Sequence, residues 1–198
     1  MCVYSLLDCL GRRKETRIMN FKEFYALAQE YLEINAFAFA CQSSLETGNW
    51  TSKLWREAFN GAGIKAGKSW TGAVYVVVSS EQLSSGKIIQ QSSVFRKYPD
   101  PDTFIRDYAA KIKRSYPLCV QRRDNFIGVF DGLVSGPFKW ATDQKYFGKL
   151  LSMAIKKAPE IFGASAHGKL QTALDYAINL DMLSQANIAI AINLIRRL

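Results

Sequence analysis

From Phe21 onward, apolar residues recur at helical spacing: Phe21, Phe24, Tyr25 and Ala28 share one face. The spacing predicts a helix over 21–33, with Asn20 as its N-cap. The next run, Ala36-Phe37-Ala38-Phe39-Ala40-Cys41, is apolar nearly all round. A helix over 36–47 should therefore be central and buried. Gly48 follows where a C-cap glycine would sit. A short helix over 52–58 is expected next, capped by Thr51. Asn60-Gly61-Ala62-Gly63 then forms a loop that only small residues could fold tightly.

The period changes at Ala73. The run to Glu81 is rich in β-branched residues, Ser84-Ser85-Gly86 makes a turn, and Lys87 to Phe95 returns. This predicts one hairpin. Asp100 or Asp102 caps the next helix, whose stripe is Phe104, Tyr108 and Ile112, and Ser115-Tyr116-Pro117 ends it. Further helices are expected over 120–133 and 144–157, the second capped by Thr142 or Asp143. Two helices rich in Ala, Ile and Leu, 168–180 and 184–197, close the chain. The fold class is thus α+β and mostly helical, with a small β-hairpin lobe. Residues 1–20 read as an N-terminal appendage, 21–157 as the main domain and 158–198 as a C-terminal helical extension.

Composition narrows the chemistry. With 48% hydrophobic and 22% charged residues, the 198-residue chain has the balance of a soluble globular protein. A net charge of +9 suggests a polyanionic partner: nucleic acid, an anionic membrane, or a phosphate-rich cell wall. Candidate binding cations are Lys65, Lys68, Arg96, Lys97, Arg122, Arg123, Lys139, Lys156, Lys157, Arg196 and Arg197. The four cysteines show no C-x-x-C spacing, and His167 is the one histidine. No zinc cluster, metal site or cofactor is expected. Cys41, inside an apolar run, reads as a small buried hydrophobe. No apolar stretch reaches the roughly 18 residues of a membrane span. Val3 to Leu7 is too short for a signal-peptide core and is broken by Asp8.

One carboxylate stands out. Glu46 lies where the apolar helix should stop, and Trp50 follows closely. A Glu beside a Trp in a poorly solvated spot has a raised pKa, holds its proton near neutral pH and can donate it. That describes a general acid. The alternative is a solvated Glu at a helix end.

Segments downstream bear on that choice. Glu46-Thr47-Gly48 is followed by Asn60-Gly61-Ala62-Gly63-Ile64-Lys65, then Phe95-Arg96-Lys97-Tyr98, then Trp140-Ala141-Thr142-Asp143-Gln144-Lys145-Tyr146. In this order and spacing, over about residues 21–157, the chain resembles glycoside hydrolase family 73. Those enzymes are N-acetylglucosaminidases that cut peptidoglycan. Thr47, Asn49, Gly61-Ala62 and Trp140 depart from the usual family residues, and none of these changes removes a carboxylate.

The resemblance implies a lysozyme-like fold with Glu46 as the acid and Glu81, on the β lobe, as a second functional carboxylate. It further implies substrate contacts from Trp50, Asn60, Gly63, Lys65, Tyr116, Trp140 and Tyr146, with a tight turn as the plain alternative for the loop and core packing for each aromatic. The implied partner is the peptidoglycan glycan strand, with anionic wall polymers as an addition and no nucleic acid. The implied place of action is the bacterial wall, reached without a classical signal by a holin-type or other non-Sec route, as for a phage endolysin. Two other readings stay open: a single-acid lytic transglycosylase, and a wall-binding protein without useful turnover.

Overall fold

The computed structural model describes residues 19–82 and 88–198. The first helix, α1 (Phe21–Tyr31), starts at a capping box: Asn20 accepts from the Glu23 amide, and the Glu23 side chain accepts from the Asn20 amide. The second, α2 (Ala36–Thr47), has the bounds its composition predicts. Nine of its 12 residues are buried, so it serves as the axis on which α1, α6 (Phe126–Ser135) and α7 (Tyr146–Phe162) pack. Phe39 of α2 stacks on Tyr108 at 3.8 Å between ring centroids. Tyr108 belongs to α4 (Pro101–Ser115), which starts with Asp100 accepting from the Thr103 amide.

The β lobe is an antiparallel pair, β1 (Val74–Gln82) and β2 (Ile88–Arg96), in register Val74 to Arg96 and Gln82 to Ile88. Three fastenings fix its base. The loop backbone adds to β2 through Ala66 N to Val94 O and Arg96 N to Ile64 O, both 2.9 Å. Arg96 donates to both oxygens of Asp107 on α4 at 2.7 Å, and Tyr98 Oη donates to the same carboxylate. Tyr75 Oη donates to Glu57 on α3 (Lys53–Ala58) at 2.9 Å. The Phe-Arg-x-Tyr motif is therefore an anchor between lobe and helices.

Several boundaries differ from expectation, α1 ending at Tyr31 and the two C-terminal helices each shifting by one or two residues. Ser52, not Thr51, caps α3, because its side chain accepts from the Trp55 amide. The helix expected over 120–133 is two: α5 (Pro117–Gln121) and α6. Asn125 interrupts it by turning its side chain onto the Ile127 and Gly128 amides as a new N-cap. Asp143 spends its side chain on the Lys145 amide, so α7 starts at Tyr146 rather than at 144. Its far end runs past 157, through Pro159, to Gly163 at φ 55°. Pro159 has no N–H to give the Ile155 carbonyl, so the last turn of α7 forms with one helical bond fewer.

Helix α8 (Ala166–Asn179) packs on α6 and α7, and α9 (Gln185–Ile195) on α7 and α8. Leu170, Leu174, Ala191 and Ile195 join the same apolar core as Phe24 and Phe39. Asn125 Nδ2 reaches the Ala173 carbonyl at 2.8 Å, tying α8 to the start of α6. Among the described residues, no helix is long and apolar enough to cross a membrane.

Candidate active site

Gln42 and Glu46 stand four residues apart on α2 and so share a helix face. That face meets Tyr146, the first residue of α7. Tyr146 Oη donates to Glu46 Oε1 and itself accepts from Gln42 Nε2 at 3.2 Å. Gln42 Oε1 accepts in turn from Tyr108 Oη at 2.5 Å. Three helices thus supply one chain of donors, Tyr108 to Gln42 to Tyr146 to Glu46, that points a phenol proton at the carboxylate. Gln42, Tyr108 and Tyr146 are buried, which fixes the orientation of each. Glu46 lies at the rim: much of its side chain meets solvent, while its carboxyl group sits among protein atoms.

That setting raises the Glu46 carboxyl above its ordinary pKa of 4.5. Loss of hydration is the largest cause, because charge is stabilised poorly away from water. Hydrogen bonds from Tyr146 and Trp140 favour the carboxylate and offset part of the effect. Among the described residues no charged group contributes to the shift. The same proximity pushes the Tyr146 phenol upward, first through burial and then through the Glu46 charge, so it remains a donor. A carboxyl whose pKa is raised in this way, at the rim of the protein, is suited to deliver a proton to a bound oxygen.

Gly63 lies across from Glu46. Its φ of 61° is a left-handed conformation that glycine adopts without strain, and a Cβ there would stand 4.0 Å from Glu46 Oε2. The expected neighbours Gly63, Trp140 and Tyr146 are therefore brought together around the acid. Trp140 is half-buried, with Tyr116 at 5.4 Å and Tyr108 at 5.6 Å between ring centroids. Tyr116 is 6% exposed and lines a pocket beside Trp140. Lys65 is exposed, and its backbone bridges to Phe95.

Two expected contacts are overturned. Trp50 is 1% exposed, so it neither walls off Glu46 nor offers a face to a sugar. Gly48, Asn49 and Trp50 all have positive φ, at 58°, 57° and 60°. This left-handed turn swings Trp50 back under α2, where it stacks on Phe24 at 4.8 Å and its indole N–H donates to Ser43 Oγ. Asn60 is fully buried. Its Nδ2 donates to the Ile64 and Arg96 carbonyls, and its Oδ1 accepts from the Ala62 and Ile64 amides. With its polar capacity used on the loop backbone and on the end of β2, Asn60 shapes the turn that presents Gly63 and leaves nothing for a ligand.

Glu81 lies in β1 opposite Ile89, and its side chain is outside the described residues. Of the candidate binding cations, Arg96 and Arg122 are committed to Asp107 and Asp131 and are largely buried. Burial pushes the Cys41 thiol well above its usual pKa, as suits a packing residue. Among the described residues no group of three or more His, Cys, Asp or Glu could hold a metal ion.

The family model described as mannosyl-glycoprotein endo-beta-N-acetylglucosaminidase matches residues 22–158. The chain belongs to the glucosaminidase family. As a member it is a glycoside hydrolase. Glu46, Tyr146 and Trp140 all fall within the matched residues, whereas α8 and α9 follow them.

Solved structures agree. A glycoside hydrolase domain of FlgJ from Salmonella typhimurium is 27% identical, covering 67% of this chain and 89% of that one, with a TM-score of 0.56. A peptidoglycan hydrolase from Sphingomonas sp. A1 is 26% identical, covering 75% and 88%, with a TM-score of 0.52. The catalytic domain of the autolysin Auto from Listeria monocytogenes, at 20% identity, covers 79% and 96% with a TM-score of 0.57, and shares the fold. No curated protein matches the chain.

Removing the hydroxyl that holds Glu46 tests the relay. Tyr146→Phe should lower kcat by about tenfold, the order expected for losing one hydrogen bond to a charged group. It should also move the alkaline limb of the activity profile to higher pH, because a bond that favours the carboxylate has gone. A pH–rate profile checks both, and an unmoved limb would mean that Tyr146 does not set the acidity of Glu46.

Proposed function

We propose that this glucosaminidase hydrolyses the β-1,4 bond that follows N-acetylglucosamine in peptidoglycan glycan strands. The observation that carries the reading is the Glu46 carboxyl, raised by lost hydration and held by Tyr146 beside Gly63 and Trp140. Its likeness to a peptidoglycan hydrolase and to the FlgJ glycoside hydrolase domain supplies the substrate class.

Glu46 protonates the departing glycosidic oxygen as the bond breaks, and positive charge grows on the N-acetylglucosamine ring. A water, or first the substrate's own acetamido oxygen, then attacks that ring. Glu81, on the β lobe, is our candidate to activate the water. Trp140 supplies the flat apolar surface against which a pyranose ring lies, with the buried Tyr116 packed behind it. Action at the bacterial wall follows from this substrate.

Digestion of purified walls with mass spectrometry of the products tests the reading. Hydrolysis gives a new reducing N-acetylglucosamine end. An anhydro-muramic end would overturn it in favour of a transglycosylase, and pelleting with walls without clearing them would favour a binding protein.

A further inference from the structure

Next to Trp140, where Tyr116 and Lys111 approach its ring, lies a pocket of about 330 Å³. Its lining is Lys111, Ser115, Tyr116, Pro137, Phe138 and Lys139. The link to the site is continuous. Trp140 stands close enough to Glu46 to favour its carboxylate, Tyr116 lies against Trp140, and Lys111 Nζ stands 5.8 Å from the Tyr116 ring centre and 5.7 Å from that of Trp140.

The pocket is positive. Two of its six lining residues are lysines, one is a serine, and none is acidic. Among the described residues, neither Lys111 nor Lys139 forms an ion pair with a carboxylate. Lys111 also feels Arg96 and Arg114, whose repulsion outweighs the attraction of Asp107. The two aromatic faces attract the Lys111 ammonium, but its lost hydration and the nearby Arg96 and Arg114 disfavour the charge, and an entering anion would relieve both.

Peptidoglycan offers an anion at this place. Its N-acetylglucosamine units alternate with muramic acid, which differs by a lactyl ether at C3. That arm ends in a carboxylate, or continues into a stem peptide that carries carboxylates of its own. The leaving oxygen in the proposed reaction belongs to a muramic ring, so one muramic residue must sit next to Glu46.

We propose that the Lys111–Lys139 pocket binds a carboxylate borne on the lactyl arm of that muramic residue, and so separates peptidoglycan from uncharged β-1,4-linked N-acetylglucosamine polymers. The inference rests on the peptidoglycan reading above. Phe138, 63% exposed, supplies an apolar wall for the lactyl methyl group or the first peptide side chain.

The test compares three substrates: strands stripped of peptide, the same strands with the lactyl carboxylate converted to an amide, and peptide-bearing strands. On stripped strands the double variant Lys111→Gln with Lys139→Gln should raise KM by about tenfold and leave kcat unchanged, as loss of a charge-assisted contact would. On amidated strands it should match the unmodified enzyme. A loss on stripped strands assigns the lactyl carboxylate, and one confined to peptide-bearing strands assigns the stem peptide. An equal loss on amidated strands, or no loss on any, overturns the proposal.

Calorimetric titration of the stripped and amidated oligosaccharides into the Glu46→Gln variant separates this proposal from the reading beneath it. If no strand is cleaved but carboxylate is still preferred over amide, and the preference disappears with both lysines, the pocket stands and the hydrolase reading falls. If strands are cleaved with no such preference, the hydrolase reading stands and the pocket falls.

Discussion

Glu46→Gln should reduce hydrolysis of wall glycan by about 10²–10⁴-fold or more while the fold persists. The amide keeps the shape of the side chain and can still accept from Tyr146, but it has no proton to give. Among the described residues no other carboxyl group is tied into the Tyr146–Glu46 bond, so the loss should be near the upper end. Rates measured on stripped strands check this, and retention of more than about a tenth of the activity would remove Glu46 from the role of acid.

The same variant makes a second, independent claim about stability. Because the folded-state pKa of Glu46 lies above the ordinary 4.5, the folded protein binds this proton more tightly than the unfolded chain does. The stability linked to it is fully present below 4.5 and is lost as pH rises through the raised value. Above that value the wild type holds a poorly hydrated charge that Gln does not. Thermal unfolding of Glu46→Gln should therefore occur at a higher temperature than wild type at pH 8, with the gap closing toward pH 4. A variant that melts lower at pH 8 would mean that the carboxylate is a net stabiliser and that its desolvation is minor.

What could be read from residue order was what depends on local period. The apolar run 36–41 and Gly48 bracket α2, and α2 delivers Glu46 to its end. Trp50 was misplaced because two non-glycine residues follow Gly48 in the left-handed region, which no propensity anticipates. Asn60 was misplaced because a polar residue in a Gly-rich loop looks available, and only the folded loop reveals its four internal bonds. Tyr108 reads only as part of an apolar stripe, and Gln42 takes no part in the expected site. The signal for Gln42 was present, since a polar residue four before Glu46 in an otherwise apolar helix has to share its face. For Tyr108 there was none, because its partner lies 66 residues away.

Asp131 carried a similar signal. It is one acidic residue inside Phe126-Ile127-Gly128-Val129-Phe130-Asp131-Gly132-Leu133, and such a residue must be paired. In the structure it is fully buried. Its Oδ2 accepts from Arg122 at 2.5 Å, and its Oδ1 accepts from the Ser184 amide at 3.1 Å and from Asn187 Nδ2 at 2.6 Å. One carboxylate thus binds the end of α5 and the start of α9 to α6.

Asp131→Ala should accordingly cost about 3–5 kcal/mol of stability, the order seen when one partner of a buried ion pair is removed. Arg122, whose side chain is 16% exposed, keeps its charge without a counterion, and the cap of α9 loses its anchor. Urea unfolding gives the number. Replacing both partners with apolar residues, Arg122→Met with Asp131→Leu, should recover much of the loss, since the unpaired charge rather than the missing pair is the greater cost. Should the single and double variants be equally destabilised, the Ser184 and Asn187 bonds would be the main contribution, and the principal task of Asp131 would be to hold α9. A single-variant loss below about 1 kcal/mol would mean that Arg122 turns out to solvent when released, at which point neither network anchors the C-terminal helices.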